Sequence, residues 1–277
     1  MNAKGAREEL LRLLQTGLSP FPYDRAGLAL VAPFYPELDV DRYLSRLDGL
    51  AEDVARHLAA HYPVFGPREC LSSLRRVVFE EHGFKGDTRD YYDIRNCYLN
   101  EVLDRKQGMP ITLAVMCLGI SSRLGWPLEP VSFPAHFLLS WPDGEQPFAV
   151  DPFHGGLLLG DEDLDEMWTR ATANRPPCRC EMLRPASPPD VLLRMLNNTR
   201  QIFQRCGRYG DAARVAEQSI LVRPDLAVLE RDLGYLCLAA GRTQEAASHL
   251  ARYLSRSPAG ADAARVKSDL ERIRKLC

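Results

Sequence analysis

The spacing of apolar residues divides the chain into a helical first third, a short extended middle part and a helical last third. From Val40 to Leu58, apolar residues recur at steps of three and four, which is typical of an amphipathic helix. The same spacing predicts further helices over 68–81 and 93–103. The first third is therefore predicted to form an N-terminal helical bundle.

The next predicted helix begins immediately after a glycine and a proline. Gly108 ends the helix over 93–103, and Pro110 fits the first turn of the following one, because an N–H group has no intrahelical partner there. Leu113 and Cys117 then fall on one apolar face, and Gly125 is a typical residue after a helix end. A helix over 111–124, with one buried face, is expected.

Short extended runs replace the helical pattern after this helix, at 128–133, 137–141 and 148–151. The last two are joined through Pro142-Asp143-Gly144, and Asp-Gly between apolar runs favours a hairpin. We predict a small antiparallel sheet on the helix of 111–124, closed by Gly155 and Gly156 and followed by a short helix over 163–171.

The last third of the chain repeats itself every 34 residues. Gly207-Arg208-Tyr209 recurs as Gly241-Arg242-Thr243, and Pro224 recurs as Pro258. This period is typical of the tetratricopeptide repeat, in which pairs of helices stack. About three such units are needed for a self-sufficient array, so two units and a capping helix are expected to dock on the first domain or on a second copy, as in a homodimer.

A proline-rich segment over 176–189 is interpreted as a linker, which places one domain at 1–184 and the repeat module at 188–277. The expected fold class is thus α+β for the first domain and all-α for the second.

Charge and composition exclude several classes of function. With 35 basic and 37 acidic residues in 277, and without a basic block, the chain lacks the positive face that nucleic-acid binding requires. We see no signal peptide and no apolar run near the ~20 residues that span a bilayer. The eight cysteines are scattered, which fits reduced thiols and a cytoplasmic protein.

Several motifs occur in the order found in one known family. The chain resembles the SirB-type proteins over roughly residues 30–277, through Asn96-Cys97-Tyr98-Leu99-Asn100-Glu101-Val102-Leu103, Gly108-Met109-Pro110-Ile111-Thr112-Leu113, Pro134-Ala135-His136-Phe137 and Asp151-Pro152-Phe153. The resemblance implies a transglutaminase-like core, related to papain-type enzymes, followed by tetratricopeptide repeats.

The resemblance also assigns places in a catalytic triad. Active transglutaminase-like enzymes carry a cysteine at the start of the central helix, a histidine on the next strand and an aspartate on the strand after it. His136 and Asp151 take the histidine and aspartate places, and matching Gly108 puts Pro110 at the cysteine place. Proline has no nucleophilic atom, and loss of the nucleophile in such triads costs roughly 10⁶ in rate.

Two residues could replace the missing nucleophile. Thr112 lies one turn into the helix, and Cys97 could approach from the preceding helix; either would make a hydrolase or acyltransferase with His136 and Asp151. His136 and Asp151 could equally be a buried structural pair. Asn96 and Asn100 are one helical turn apart and would either line the pocket with Pro110 or brace the neighbouring loop.

No metal or cofactor is expected from the sequence. His136, Asp151 and His154 carry ligand groups, but their spacing matches no established ligand motif, and Cys178-x-Cys180 is an incomplete zinc signature. The leading hypothesis is a non-catalytic scaffold or regulator that binds a protein or peptide partner, with the repeat module as a recognition surface.

Overall fold

The computed structural model describes residues 3–143 and 147–275. The chain divides into two compact units, residues 1–191 and 192–277. Described helices of the first unit are α1 (Ala3–Gln15), α2 (Tyr23–Val31), α3 (Val40–His61), α4 (Pro67–Leu74), α5 (Leu99–Arg105), α6 (Pro110–Arg123), α7 (Asp161–Thr172) and α8 (Arg179–Met182). Its strands are β1 (Lys85–Gly86), β2 (Gln107–Gly108), β3 (Glu129–Val131), β4 (Leu138–Trp141), β5 (Phe148–Asp151) and β6 (Leu157–Leu159). The first unit is thus mixed, mainly helical with two small sheets.

Helix α6 lies at the centre of the first unit. Every residue from Pro110 to Ser121 is buried, because α2, α3 and α5 contact the helix and the strands β3 and β4 contact it as well. The predicted helix is confirmed, but the prediction of one buried face is wrong. A helix enclosed by helices and a sheet is apolar all round, so its sequence shows no polar stripe.

The strands β3 to β6 form one antiparallel sheet in sequential order. Trp141 pairs with Phe148, and the Gly144 of the predicted Asp-Gly turn between them lies outside the described residues. The sheet does not close at Gly155 and Gly156 as predicted. Both glycines adopt positive φ angles, +74° and +72°, which turn the chain back so that β6 pairs with β5.

The predicted helix over 93–103 is wrong as a single element. A 3₁₀ turn runs from Ile94 to Cys97, Tyr98 is extended (φ −105°, ψ 120°), and α5 starts at Leu99. The Asp93 carboxylate accepts a hydrogen bond from the Arg95 N–H at 2.9 Å, which satisfies a donor at the start of the turn. Asn96 and Asn100 therefore belong to different elements.

The segment after α4 also departs from the predicted helix over 68–81. The α-helix ends at Leu74 and continues as a π-helical segment, Arg75–Glu81. Within this segment, Phe79 packs so closely on Gly156 that a Cβ atom at Gly156 would lie 2.8 Å from its ring. An aromatic ring of the π-helical segment thus packs against the turn between β5 and β6.

The second unit is helical in its described part. Its elements are α9 (Pro188–Arg205), which begins just before the unit boundary, α10 (Tyr209–Val222), α11 (Val228–Ala239), α12 (Thr243–Arg256) and α13 (Ala263–Arg274). Consecutive helices from α10 to α13 pack on one another. A Cβ atom at Gly234 would lie 2.8 Å from Leu250, so the glycine permits the close crossing of α11 and α12. No helix among the described residues is long and apolar enough to cross a membrane.

Candidate functional site

A tight turn positions His136 ahead of strand β4. The His136 N–H donates a hydrogen bond to the Phe133 carbonyl at 3.1 Å, and Ala135 has φ = +54°. Proline followed by a residue with positive φ is typical of a type II turn, which fits Pro134-Ala135. A left-handed alanine costs about 1 kcal/mol, so contacts elsewhere must hold this conformation.

A second turn fixes Asp151 at the end of β5. The Asp151 Oδ1 atom accepts hydrogen bonds from the backbone N–H groups of Phe153 at 2.9 Å and His154 at 3.3 Å. Its carbonyl accepts one from the Gly156 N–H at 2.8 Å. The aspartate side chain mimics a backbone turn in this way, so its orientation is set by the chain around it.

The other oxygen of Asp151 binds two histidines. Oδ2 lies 2.9 Å from His136 Nε2 and 2.7 Å from His154 Nδ1. The exposed fractions of the side chains are 2% for Asp151, 14% for His136 and 59% for His154. Because an ionised carboxylate only accepts hydrogen bonds, the ring nitrogens that face it carry the protons. In the neutral rings, the lone pairs are then on His136 Nδ1 and His154 Nε2.

The carboxylate of Asp151 is stabilised in its charged form. Burial raises its pKa, but the hydrogen bond and charge of His136, and then those of His154, lower it by more. The net effect places the pKa below the ordinary value of 3.8. Asp151 is therefore ionised at neutral pH and available as an acceptor for both rings.

Backbone hydrogen bonds connect the turn that holds Asp151 to the start of α6. The Gly86 N–H donates to the Phe153 carbonyl at 3.1 Å, and the Asp87 N–H donates to the Gly108 carbonyl at 3.2 Å. A Cβ atom at Gly86 would lie 2.5 Å from the Phe153 ring, so only glycine fits. The short strands β1 and β2, which the sequence did not reveal, thus link the aspartate turn to the residues before Pro110.

Pro110 is the first residue of α6 and is buried. It supplies neither a thiol nor a hydroxyl where the positive end of the helix would lower the pKa of a cysteine. Cys97 is 5% exposed, and its Sγ lies 3.1 Å from the Met109 sulfur. Thr112 is fully buried, and its hydroxyl has no hydrogen-bond partner in the described part of the chain.

The two asparagines have different environments. Asn96 Nδ2 donates to the backbone carbonyl of Asp90 at 2.8 Å and to Asp87 Oδ2 at 3.2 Å. The backbone carbonyl of Asn96 accepts a hydrogen bond from the Met109 N–H. Asn96 therefore braces the loop before the 3₁₀ turn. Asn100 is 2% exposed, and its Oδ1 has no partner among the described residues.

His136 borders a cleft of about 410 Å³. The described residues that line it are Pro134, Ala135, His136, Asp151, His154, Leu157, Leu159, Asp163, Glu166, Met167, Arg170 and Ala171. None of these has a thiol or a hydroxyl group, and Cys97, Thr112, Asn96, Asn100 and Pro110 are not among them. The cleft is therefore built from the two turns, strand β6 and one face of α7.

Sequence reasoning did not identify the α7 wall or include His154 among the site residues. The wall residues at 163, 166, 167, 170 and 171 follow the three- and four-residue spacing of one helix face, but this spacing does not show what the face contacts. In the structure, ligand atoms of His136, Asp151 and His154 lie within 4.8 Å of one another and could hold a metal ion.

Comparison with known proteins places the chain in a family. The family model described as "Transglutaminase-like superfamily" matches residues 41–197. A UPF0162 protein of Xylella fastidiosa (strain 9a5c) is 32% identical over 242 residues, which cover 86% of this chain and 84% of that protein. A UPF0162 protein of Vibrio cholerae serotype O1 is 31% identical over 163 residues, covering 58% and 60%.

A shorter similarity links the chain to a eukaryotic protein. F-box only protein 21 of Homo sapiens is 41% identical over 85 residues, which cover 31% of this chain and 14% of that protein. No solved structure matches the chain. The family model spans more than half of the chain, and the Xylella relative matches most of its length. The chain therefore belongs to the Transglutaminase-like superfamily and, within it, to the UPF0162 proteins.

Proposed function

We propose that this protein is a non-catalytic transglutaminase-like protein that binds a segment of a partner protein in the cleft beside His136. One observation carries the proposal: a proline begins α6, and the described residues lining the cleft offer no thiol or hydroxyl. Acyl transfer by this fold requires such a nucleophile next to the histidine. Binding needs only the cleft.

The lining of the cleft supports a ligand that is partly apolar. Half of the lining residues are apolar, namely Pro134, Ala135, Leu157, Leu159, Met167 and Ala171. Leu157, on strand β6, is a large apolar side chain that is 41% exposed in this lining. Apolar walls with a few placed polar groups are the usual composition of a ligand pocket. His136, Asp163 and Arg170 would supply the polar contacts.

We infer further that residues 188–277 form a tetratricopeptide-repeat module, the arrangement of the SirB-type proteins. In support, α10 and α12 both contain 14 residues and begin 34 residues apart. Gly207 and Gly241, which precede them, have φ angles of +69° and +77°. Such modules commonly present extended binding surfaces, so this one would contribute a second contact to the partner.

A photo-crosslinking amino acid at position 157 tests the proposal in the full-length protein. Leu157 lines the cleft, whereas Val64 is a similarly apolar residue, 86% exposed, outside that lining. We expect a discrete protein adduct from position 157 and none of that size from position 64. The variant Leu157→Asp should reduce recovery of the same partner at least tenfold without changing the circular dichroism spectrum.

Catalytic activity would contradict the proposal. A hydrolase or amidase activity that requires His136 and is lost in Cys97→Ala or Thr112→Val would show that Cys97 or Thr112 replaces the nucleophile. We expect Cys97 to react with a thiol probe more slowly than Cys206, because Cys97 is buried and Cys206 is exposed. Selective labelling of Cys97 that is lost in His136→Ala would overturn the non-catalytic assignment.

A further inference from the structure

The cluster formed by His136, Asp151 and His154 has the composition of a metal site. We propose that these three side chains bind one divalent transition-metal ion at the edge of the cleft. Their ligand atoms already lie within 4.8 Å of one another. The proposal does not depend on the binding of a partner protein, because metal affinity can be measured on the isolated chain.

The distances suit a shared ion after a small rearrangement, in which the two N···O pairs lengthen slightly and the longest separation in the cluster shortens. Zinc ligands lie about 2.0–2.2 Å from the metal, so two ligand atoms on one ion are roughly 3–4 Å apart. The two histidine nitrogens are already 2.9 and 2.7 Å from the same carboxylate oxygen. His154 is 59% exposed, so its ring can rotate to meet the ion while Asp151 and His136 stay in place.

The ligand types favour a transition metal. Two imidazoles and one carboxylate form a set that zinc and iron(II) sites use with coordination positions left open. Magnesium and calcium prefer oxygen ligands alone. When a neutral ring binds the ion through the nitrogen that now faces Asp151, its single proton moves to the other ring nitrogen. Binding therefore requires a change of tautomer, and the ring itself stays neutral.

The surroundings of the cluster also support a cation. Both N–H groups that hold Asp151 Oδ1 come from its own turn, so the carboxylate is oriented before any ion arrives. Asp163 and Glu166 line the same cleft, while the described lining residues include one arginine, Arg170, and no lysine. The net negative lining raises the local concentration of cations.

The remaining coordination positions would face the cleft. His136 and Asp151 are each held by their own turn, and both line the cleft of about 410 Å³. An oxygen ligand, either water or a carbonyl or carboxylate group of a bound segment, fits such a position. The ion would then hold a ligand in the cleft.

Cobalt titration of the full-length protein tests this inference. The parent protein carries Cys178→Ser and Cys180→Ser, because these exposed thiols lie 2.7 Å apart and would compete as ligands. After treatment with a chelator, we expect one equivalent of Co²⁺ to produce a visible absorption band that Zn²⁺ displaces and Mg²⁺ does not. His154→Ala should weaken Co²⁺ binding at least about tenfold.

A second histidine pair provides the matched control. His57 and His61 stack at 4.2 Å one turn apart on α3, where they could chelate an ion by themselves. His61→Ala should leave the Co²⁺ titration unchanged. The inference is overturned if His154→Ala binds Co²⁺ as tightly as the parent, or if His61→Ala abolishes the binding. His154 is the decisive position, because an exposed side chain can be removed without loss of folding, which circular dichroism checks.

Discussion

Each unit of the chain buries a carboxylate beside a histidine, and the two pairs are held differently. In the first unit, Asp151 is bound by His136, His154 and two N–H groups of its own turn. In the second unit, Glu230 on α11 is 2.7 Å from His249 Nδ1 on α12, and Arg252 lies at 3.5 Å. Both carboxylate side chains are nearly inaccessible, with exposed fractions of 2% and 8%.

The difference separates a structural pair from a candidate site. The Glu230 interaction connects two packed helices, and its second partner is an arginine, which always carries a charge. The Asp151 interaction joins two turns, borders a cleft and includes a second, exposed histidine. Burial and a hydrogen bond are common to both pairs. The second imidazole and the adjoining cleft distinguish the first pair as the candidate ligand site.

The largest effect is expected from Asp151→Ala. The substitution leaves the Phe153 N–H and the His136 ring N–H without an acceptor, and buried unsatisfied groups cost about 1–3 kcal/mol each. We expect a loss of about 3 kcal/mol in the free energy of unfolding, measured by urea denaturation. As a control, Asp53→Ala breaks the His82–Asp53 pair, whose side chains are both 34% exposed, and should cost under about 1 kcal/mol. Equal losses would contradict the assigned importance of the Asp151 turn.

Gly86→Ala should weaken the contact between the aspartate turn and β1. Its new Cβ atom would lie 2.6 Å from the Phe153 carbonyl oxygen, and overpacking of this kind costs about 2 kcal/mol. Gly49→Ala is the matched control, since no heavy atom within 4 Å meets a Cβ there and Gly49 lies inside α3. The control should gain about 0.5–1 kcal/mol. A stable Gly86→Ala protein would show that the turn tolerates displacement.

Glu230→Gln tests the structural pair directly. An amide keeps one acceptor but removes the charge-assisted part of the hydrogen bond to His249, so we expect a loss of about 1 kcal/mol in unfolding free energy. Co²⁺ affinity should stay unchanged. In contrast, Asp151→Asn should lower both stability and Co²⁺ affinity. If Glu230→Gln also weakened Co²⁺ binding, the two pairs would not differ in the way described.

The smallest effect is expected from Ala135→Gly. Glycine removes about 1 kcal/mol of left-handed strain, and its greater freedom in the unfolded chain takes back roughly half of that gain. We therefore expect a thermal midpoint that rises slightly. Ala173→Gly, at φ = +56° after α7, should rise by a similar amount. A lower midpoint for Ala135→Gly alone would indicate that the Ala135 methyl group stabilises the turn before His136.

Local sequence patterns predicted the long elements well. Helix α3 follows its three- and four-residue spacing, and its N-terminal Asp39 accepts a hydrogen bond from the Arg42 N–H at 3.1 Å. The start of α6 at Pro110 also follows from local chemistry, since proline suits the first turn. The separation of α10 and α12 by one period is visible as repeated residues. The first two of these features depend on neighbours within a few positions along the chain.

Local patterns failed where distant contacts decide the conformation. The predicted helix over 93–103 breaks at Tyr98, after a turn held by Asn96 contacts to Asp87 and Asp90. The strands β1 and β2 contain two residues each, too few to show any periodicity. Their pairing depends on backbone groups about twenty positions apart.

The sequence by itself determined the helical periods, the proline at the start of the central helix and the presence of a histidine just before one strand and an aspartate at the end of the next. Only the tertiary structure decided that His154 shares the carboxylate of Asp151 and that α7 forms the opposite wall of the cleft. The physical reason is that periodicity records which face of an element is buried. It does not record which side chains from separate turns converge on one atom.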